Sequence, residues 1–330
     1  MIERSLLAVI NDAIEGRRSL IDPLHQSALR LFNGFAEGCA DLVIDLYGRT
    51  AVVNNYADPP ARGERPVRTA QAALQGALPW LQAVVVKTRG SRSDEQRRGT
   101  LTLGRQLTDR IREHDIWYAI DLVLHQDCSF YLDTRNLRSW ALEHLKGRTV
   151  LNAFAYTGSL GVAALGGGAL RVVHLDRTER FLDLAKASYT LNGFPIHRQD
   201  FVRADFFREA ARLRRARQAF DCVFLDPPLF SSTSAGVVDQ ETHSTQLINK
   251  VRPLAAHGGY LVAVSNALYV SGHTYMQTLE SLCSDSHLKI VELIPVPTDV
   301  IGLARVAQAP PITDPAPFNH STKIAILRVQ

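Results

Sequence analysis

Residues 149–158 read TVLNAFAYTG, and this stretch decides the fold. Val150 and Leu151 are typical of a short buried strand, after which small residues lead into an alanine-rich helix that ends at the glycines 166–168. The same alternation continues along the chain, with strands predicted at 170–176, 198–204 and 220–225 and helices at 178–191 and 206–217. Strands that alternate with helices form a parallel sheet with helices on both faces. We therefore predict an α/β fold with a Rossmann-like sheet.

Carboxylates close the strands that follow this stretch: Asp176, Asp205 and Asp226. In a doubly wound sheet the ligand lies at the carboxyl ends of the strands, so these side chains should converge. An acid after the second strand can accept hydrogen bonds from ribose hydroxyls. An acid beside the third strand can accept one from an adenine amino group, and Phe206 can pack on the purine. The pattern predicts a site for an adenosine derivative.

The loop after the first strand separates two classes of cofactor. A dinucleotide site requires G-x-G-x-x-G, whereas this turn has Gly158 alone and places aromatic residues on both sides of Ala155. Such rings would crowd a pyrophosphate, but S-adenosyl-L-methionine carries no phosphate. We therefore predict S-adenosyl-L-methionine as the cofactor. The residues expected to bind it here are Asn152, Phe154, Tyr156, Thr157, Gly158, Asp176, Arg177, Asp205, Phe206, Asp226 and Pro227.

The sharpest local motif is DPPLF at residues 226–230. Its prolines stiffen a turn at a strand end, where carbonyl groups and the Asp226 carboxylate can face a substrate nitrogen. Phe230 offers a ring on which a base could stack. We predict a catalytic role for Asp226 and substrate contacts for Pro228 and Phe230. A plain Pro-Pro turn is the structural alternative.

Taken together, FYLDTRNLR at 130–138, NAFAYTG at 152–158 and DPPLF at 226–230 carry a family resemblance. From about Ser27 to the C-terminus the chain resembles class I S-adenosylmethionine-dependent methyltransferases. Within that class it is similar to the bacterial large-subunit ribosomal RNA enzymes that make 5-methylcytosine or 7-methylguanine. The resemblance implies a seven-stranded Rossmann-like methyltransferase domain at 126–330, preceded by a smaller α/β, RNA-binding domain at 1–125. It also places Tyr131, Asp133 and Arg135 at the cofactor pocket.

Two differences from the 5-methylcytosine branch of this family favour the 7-methylguanine branch. The cytosine branch carries a cysteine nucleophile after a later strand, where this chain has Ser265 and Asn266. About 26 residues precede the matching region, too few for the small PUA domain of that branch. We expect Asn266 to bind the base edge and to contribute to catalysis, although a strand-end asparagine can also simply cap a turn.

Basic residues gather in one stretch, residues 87–112, which holds eight arginines and lysines against three acids. Arginine binds phosphate through a planar fork, so we predict that Arg92, Arg97 and Arg98 contact RNA. A second cluster lies at residues 212–217. The alternative for both is a solvated surface.

Composition excludes several other classes of protein. The 330 residues are 46% hydrophobic and 21% charged, with a mean hydropathy of −0.06 and a net charge of +4. We see no signal peptide and no apolar run near the roughly 20 residues of a membrane span. The four cysteines and the histidines lack metal-ligand spacing, so no metal is predicted. We expect a cytoplasmic protein without a membrane partner; an oligomer is as compatible with the sequence as a monomer.

These observations favour direct methyl transfer from S-adenosylmethionine to a base nitrogen of ribosomal RNA, similar to guanine N7. Three alternatives stay open: a biosynthetic methyltransferase for a small molecule, a cytosine-C5 ribosomal RNA enzyme, and an RNA chaperone without turnover. For the first domain, the sequence predicts a helix at 5–15, a hairpin of strands 41–47 and 50–56, a loop from 57 to 68 and strands at 117–123 and 129–132. Residues 90–100 and 231–236 are predicted as loops.

Overall fold

The computed structural model describes residues 5–303 and 314–330. Within these ranges the chain forms two compact units. The first comprises residues 5–132 and 297–303, and the second comprises residues 133–296 and 314–330. The expected boundary after residue 125 thus lies a few residues inside the first unit. Nothing in the sequence indicated that residues 297–303 return to that unit.

The first unit is built on a five-stranded sheet in the order β1-β2-β3-β4-β5, beside a separate β6-β7 hairpin. Its strands are β1 Ala28–Asn33, β2 Leu42–Tyr47, β3 Thr50–Asn55, β4 Ala83–Thr88, β5 Thr100–Leu103, β6 Arg110–Glu113 and β7 Ile116–Ala119. Its helices are α1 Leu6–Gly16, α2 Gly34–Glu37, α3 Glu64–Ala77, α4 Asp94–Arg98 and α11 Thr298–Ile301. The predicted first helix and the β2-β3 hairpin are confirmed, and the Ser5 hydroxyl caps α1 by accepting the Ala8 N–H at 3.3 Å.

Three local predictions in this unit are wrong, and the predicted strand at 117–123 is shorter than expected, because β7 ends at Ala119. Helix α3 already begins at Glu64, because Pro66 lies in the first helical turn, where its missing N–H is not required. Residues 129–132 form no strand; Ser129 has a φ of 55°, and its hydroxyl accepts the Asp121 N–H at 2.8 Å. The expected loop at 90–100 contains α4, which Ser93 caps.

The returning segment is held by polar contacts to β1 and α1. The Asp299 carboxylate accepts the backbone N–H of Arg30 at 3.0 Å, and the Asn33 amide donates to the Val300 carbonyl at 2.9 Å. Arg17 donates to the Asp299 carbonyl at 2.9 Å and also pairs with Glu37 at 2.8 Å, both side chains being fully buried. The segment therefore completes the polar interior of the first unit.

The second unit contains the predicted seven-stranded sheet, in the order β10-β9-β8-β11-β14-β16-β15. Its strands are β8 Thr149–Ala153, β9 Arg171–Asp176, β10 Phe201–Arg203, β11 Phe220–Leu225, β14 Ala255–Ser265, β15 Leu288–Ile294 and β16 Lys323–Val329. The five strands from β10 to β14 are parallel, and β16 pairs antiparallel with both β14 and β15. Helices α5 Arg135–His144, α6 Ser159–Gly166, α7 Glu179–Asn192, α8 Phe206–Arg215, α9 Ser244–Val251 and α10 Gly272–Cys283 accompany it. The predicted fold class is confirmed.

Alternate residues of the central strand β11 enter two different cores. Val223 and Leu225 pack with α8, α9 and α10 on one face, while Cys222 and Phe224 pack with α5 and α6 on the other. Between β11 and α9 the chain forms a small hairpin, β12 Phe230–Thr233 and β13 Gly236–Asp239, where the sequence had indicated only a loop. No helix in the described part of the chain combines the length and apolar character needed to cross a bilayer.

Candidate methyl-transfer site

The parallel strands bring the predicted site residues to one edge of the sheet. The strands β10, β9, β8, β11 and β14 are consecutive neighbours in the sheet. Asp176 is the last residue of β9, and the other four sites follow their strands: Asp205 after β10, the loop 154–158 after β8, Asp226 after β11 and Asn266 after β14. The strand order reverses direction between β8 and β11. A ligand crevice is expected at that switch point, outside the carboxyl ends of the strands.

The loop after β8 is folded tightly against Asp176. The two carboxylate oxygens accept the backbone N–H of Tyr156 and of Thr178, each at 2.8 Å. Phe154 and Tyr156 have φ values of 56° and 52°, a strained conformation for residues other than glycine. Burial raises the pKa of Asp176, while the backbone hydrogen bonds oppose that rise. Asp176 therefore shapes the loop, and its remaining lone pairs can accept from a ligand hydroxyl.

A buried polar chain supports this loop from below. The Asn152 amide lies 3.3 Å from Nδ1 of His174, whose Nε2 lies 2.9 Å from the Tyr189 hydroxyl. Burial lowers the pKa of His174 to about 3, so the ring is neutral. A Cβ on Gly158 would lie 3.0 Å from the His174 Cε1 atom. The buried Asn152 side chain thus supports the loop from inside the sheet.

At the next strand end, one oxygen of Asp205 caps helix α8. Oδ1 accepts the N–H groups of Phe207 and Arg208 at 3.0 and 3.2 Å, which leaves Oδ2 without a partner among the described residues. That oxygen is positioned to accept a further donor. Phe206 is only 4% exposed and its ring packs 4.4 Å from that of Phe154, so little of it is open to a purine.

The DPPLF turn is joined to the end of β14. Asn266 donates its side-chain N–H to Oδ1 of Asp226 at 3.1 Å. Burial, followed by the nearby charge of Asp133, raises the pKa of Asp226 to about 7, although the hydrogen bond from Asn266 opposes this. Asp133 itself accepts the Thr322 hydroxyl at 2.7 Å. The two predicted catalytic residues are therefore in direct contact.

Two side chains that support the Asp226–Asn266 pair were not predicted from the sequence. Gln240 is 2% exposed; its amide nitrogen donates to the Pro227 carbonyl, and its oxygen accepts the Asn266 backbone N–H at 2.6 Å. The Lys323 ammonium is buried and donates to the carbonyls of Ala267 and Ser321 at 3.0 and 2.7 Å. Burial lowers the Lys323 pKa to about 8. Both residues fix the backbone on either side of the Asp226–Asn266 pair.

The remaining predicted residues occupy varied environments. Arg135 opens helix α5 in the second unit, and Arg177 is exposed directly after β9. Pro228 and Phe230 are exposed, the latter at 64%, beside the buried Pro227. Tyr131 belongs to the first unit, where its hydroxyl donates to Asp127 at 3.2 Å.

The arginines predicted to contact RNA lie on or beside the short helix α4. Arg97 and Arg98 both pair with Asp94, at 2.5 and 3.3 Å. Arg92 is exposed and forms no ion pair within the described ranges. One carboxylate therefore offsets one of these two positive charges.

The chemistry of this edge fits S-adenosylmethionine. The adenine amino group, the ribose hydroxyls and the ammonium group of that molecule are hydrogen-bond donors, and the strand ends supply acceptors on Asp176, Asp205 and Asp226. Three carboxylates would repel a pyrophosphate. No cluster of His, Cys, Asp or Glu suited to a metal ion occurs within residues 5–303 and 314–330.

Comparison with solved structures agrees with the fold. SMU.776, described as a methyltransferase and crystallised with SAH, matches with a TM-score of 0.85 at 21% identity, over 98% of this chain and 81% of its own. A structure described as a SAM-dependent methyltransferase from Streptococcus mutans gives a TM-score of 0.83 at 20% identity, with the same coverage of both chains.

Sequence comparison finds ribosomal RNA large subunit methyltransferases. Methyltransferase I of Photobacterium profundum is 31% identical over 54% of this chain and 45% of its own length. Methyltransferase K/L of Marinobacter nauticus is 28% identical over 68% of this chain and 32% of its own. The chain thus spans less than half the length of these two relatives.

The family of S-adenosylmethionine-dependent methyltransferases matches residues 69–307, which include every strand-end residue described above. This match confirms the predicted cofactor and the predicted family. The chain belongs to the S-adenosylmethionine-dependent methyltransferases.

Proposed function

We propose that this chain transfers a methyl group from S-adenosylmethionine to a base nitrogen of ribosomal RNA, with guanine N7 as the first expectation. The observation that carries the proposal is the contact between Asn266 and Asp226 across the DPPLF turn, where an amide stands in the place of a nucleophilic thiol. The names of the relatives, which are ribosomal RNA methyltransferases, support RNA as the substrate.

The thiols of this chain are poorly suited to covalent attack on a pyrimidine. Burial raises the pKa of each of them, Cys39, Cys128, Cys222 and Cys283, and that of Cys128 reaches about 12. A thiol with a raised pKa is mostly protonated near neutrality and is a weak nucleophile. A cytosine-C5 mechanism would need a thiolate next to the base, so these environments favour nitrogen methylation.

A ring nitrogen already carries a nucleophilic lone pair, so the protein has mainly to position it. S-adenosylmethionine supplies an electrophilic methyl group when it is bound. The exposed Phe230 ring can stack on the base, and the free N–H and carbonyl of the Asn266 side chain can bind its edge. The Asp226 carboxylate, when ionised, favours the positive charge that an N7-methylated guanine acquires. Gln240 holds the turn and Asn266 in register through its two hydrogen bonds.

The test is methylation in vitro with isotopically labelled S-adenosylmethionine. The acceptor is large-subunit ribosomal RNA from a strain that lacks the gene, followed by nucleoside mass spectrometry. We expect label in 7-methylguanosine, and loss of label with Asn266→Ala. A variant with all four cysteines changed to alanine should keep most of its activity, and wild-type enzyme should form no stable adduct with RNA that contains 5-fluorocytosine.

Each of the other possible results would indicate a different function. Label in 5-methylcytosine or a trapped adduct would show the cytosine-C5 chemistry, and the adduct assay needs no variant that might fail to fold. Transfer of label to a small molecule of a cell extract, with none to RNA, would identify a small-molecule acceptor. RNA binding with no transfer to any acceptor would point to the chaperone.

A further inference from the structure

The arginines of the first unit differ in whether their charge is compensated. Arg89, Arg97 and Arg98 are paired with aspartates. By contrast, the guanidinium groups of Arg49 and Arg110 have no carboxylate or hydrogen-bond partner within residues 5–303 and 314–330. Arginines without a protein partner are the ones available to a phosphate.

Arg49 and Arg110 line the same cavity, of about 350 Å³, in the first unit. That volume lies within the range of small-ligand sites. Gln82 and Gln106 also line it, and their side-chain amides have no partner in the described part of the chain. Asp109 contributes one carboxylate, so the two arginines leave the cavity with a positive balance.

The walls of this cavity are aromatic and stacked. The Arg110 guanidinium lies 5.5 Å from the centre of the Trp117 ring, and Trp117 is another lining residue. His25 also lines the cavity and stacks on Trp80, which lies behind it, with their ring centres 3.7 Å apart and 9° between their planes. Guanidinium planes and aromatic rings are the surfaces on which unpaired RNA bases stack.

Hydrogen bonds hold the floor of the cavity rigid. The Thr108 hydroxyl accepts the Arg49 backbone N–H at 3.2 Å, and the Thr108 N–H donates to the Thr50 hydroxyl at 2.9 Å. Gly48 in the same turn has a φ of 57°, and a Cβ there would lie 2.9 Å from the Thr108 methyl group. The turn and the loop therefore form one preorganised surface, which reduces the entropy lost on binding.

We propose that this cavity binds one unpaired nucleotide of the RNA substrate. Arg49 and Arg110 bind its phosphate, while the amides of Gln82 and Gln106 and the Asp109 carboxylate contact its base edge. An acidic oxygen suits a base that presents an amino group. The inference rests on the proposed RNA substrate and adds to it a second binding site, on the first unit.

The test measures binding of a labelled, unstructured RNA of about 12 nucleotides to the full chain as salt is varied. Each phosphate of a single strand that is no longer neutralised lowers the slope of log affinity against log salt by about 0.7. Because both arginines bind the same phosphate, Arg49→Ala with Arg110→Ala should lower the slope by about 0.7, which is a salt effect weaker by about 2.6-fold between about 50 and 200 mM. Gln106→Ala should weaken binding about three- to tenfold at an unchanged slope.

The matched control removes the same charge from helix α3 through Arg65→Ala and Arg68→Ala, neither of which lines the cavity. It should change the slope far less, and calorimetric affinity for S-adenosylmethionine should stay the same in all variants. An equal loss of slope in the control, or an unchanged slope in the cavity variant, would overturn this site while the wild type still methylates RNA. A wild type that neither binds nor methylates RNA would instead contradict the proposed function itself.

Discussion

The Asp226→Asn substitution gives the most direct test of the environment of the DPPLF turn. A rise of the Asp226 pKa from 3.8 to about 7 corresponds to about 4 kcal/mol between its two protonation states. The carboxyl keeps some contact with solvent, which reduces the expected effect to about 2–4 kcal/mol. Asparagine keeps the shape of the side chain and removes the charge.

The sign of the effect follows from where the proton is held. Between pH 3.8 and about 7 the folded chain keeps a proton on Asp226 that the unfolded chain has released. Wild-type stability therefore falls through this window as the pH rises, and the asparagine variant escapes that fall. The unfolding free energy of the variant minus that of the wild type should grow by about 2–4 kcal/mol between about pH 4 and pH 8.

Urea unfolding can report on the second unit alone. Trp140 is the one tryptophan of that unit, so Trp80→Phe and Trp117→Phe leave it as the sole tryptophan probe. Titrating groups that do not interact with Asp226 contribute equally to both proteins and cancel in the difference. A difference that does not change with pH would refute the assignment of a raised pKa to Asp226.

Three further substitutions test the supporting structure. Gln240→Ala should lower kcat about 10- to 100-fold while affinity for S-adenosylmethionine stays the same, because the substitution removes the hydrogen bonds that hold the turn but leaves the carboxylates in place. An unchanged kcat would contradict the positioning role of Gln240. Gly161→Ala places a Cβ 2.4 Å from the ring of the fully buried His174, so thermal unfolding should show a loss of stability of about 1–3 kcal/mol. The control Gly76→Ala has open space around its Cβ and should show no such loss in the same assay. Glu37→Gln leaves a buried guanidinium without its counter-charge, so urea unfolding should show a loss of about 3–5 kcal/mol; a near-neutral result would mean that the ion pair contributes little.

The sequence predicted best what depends on local pattern. Asp176, Asp205 and Asp226 were placed correctly at strand ends because buried strands and their closing acids are adjacent in the chain. Gln240 was missed because it gains its role only when β11 and β14 become neighbours in the sheet. The contact of the buried Asn152 amide with His174 was not predicted, because the two residues are neighbours only across the β8–β9 pair.

The pairing of Arg97 and Arg98 was missed for a different reason. Asp94 lies three and four residues before them, a spacing that brings side chains together only on a helix, and residues 90–100 were predicted as a loop. The predicted strand at 129–132 failed for another reason. Phe130 and Leu132 are buried and Tyr131 between them is exposed, so an irregular segment has the alternating burial of a strand.

The return of residues 297–303 to the first unit determines when a nascent chain can finish folding. The Arg30 N–H and the Asn33 amide bond to partners 269 and 267 positions further along. Ribosomes add about 5–20 residues per second, so the first unit waits roughly 10–30 s after residue 132 for these partners. The second unit waits longer still, because β16 inserts between β14 and β15 only once residues 323–329 exist. Both units are therefore completed after nearly the whole chain has been made, and a holdase chaperone that covers the unfinished sheets should raise the yield of folded protein.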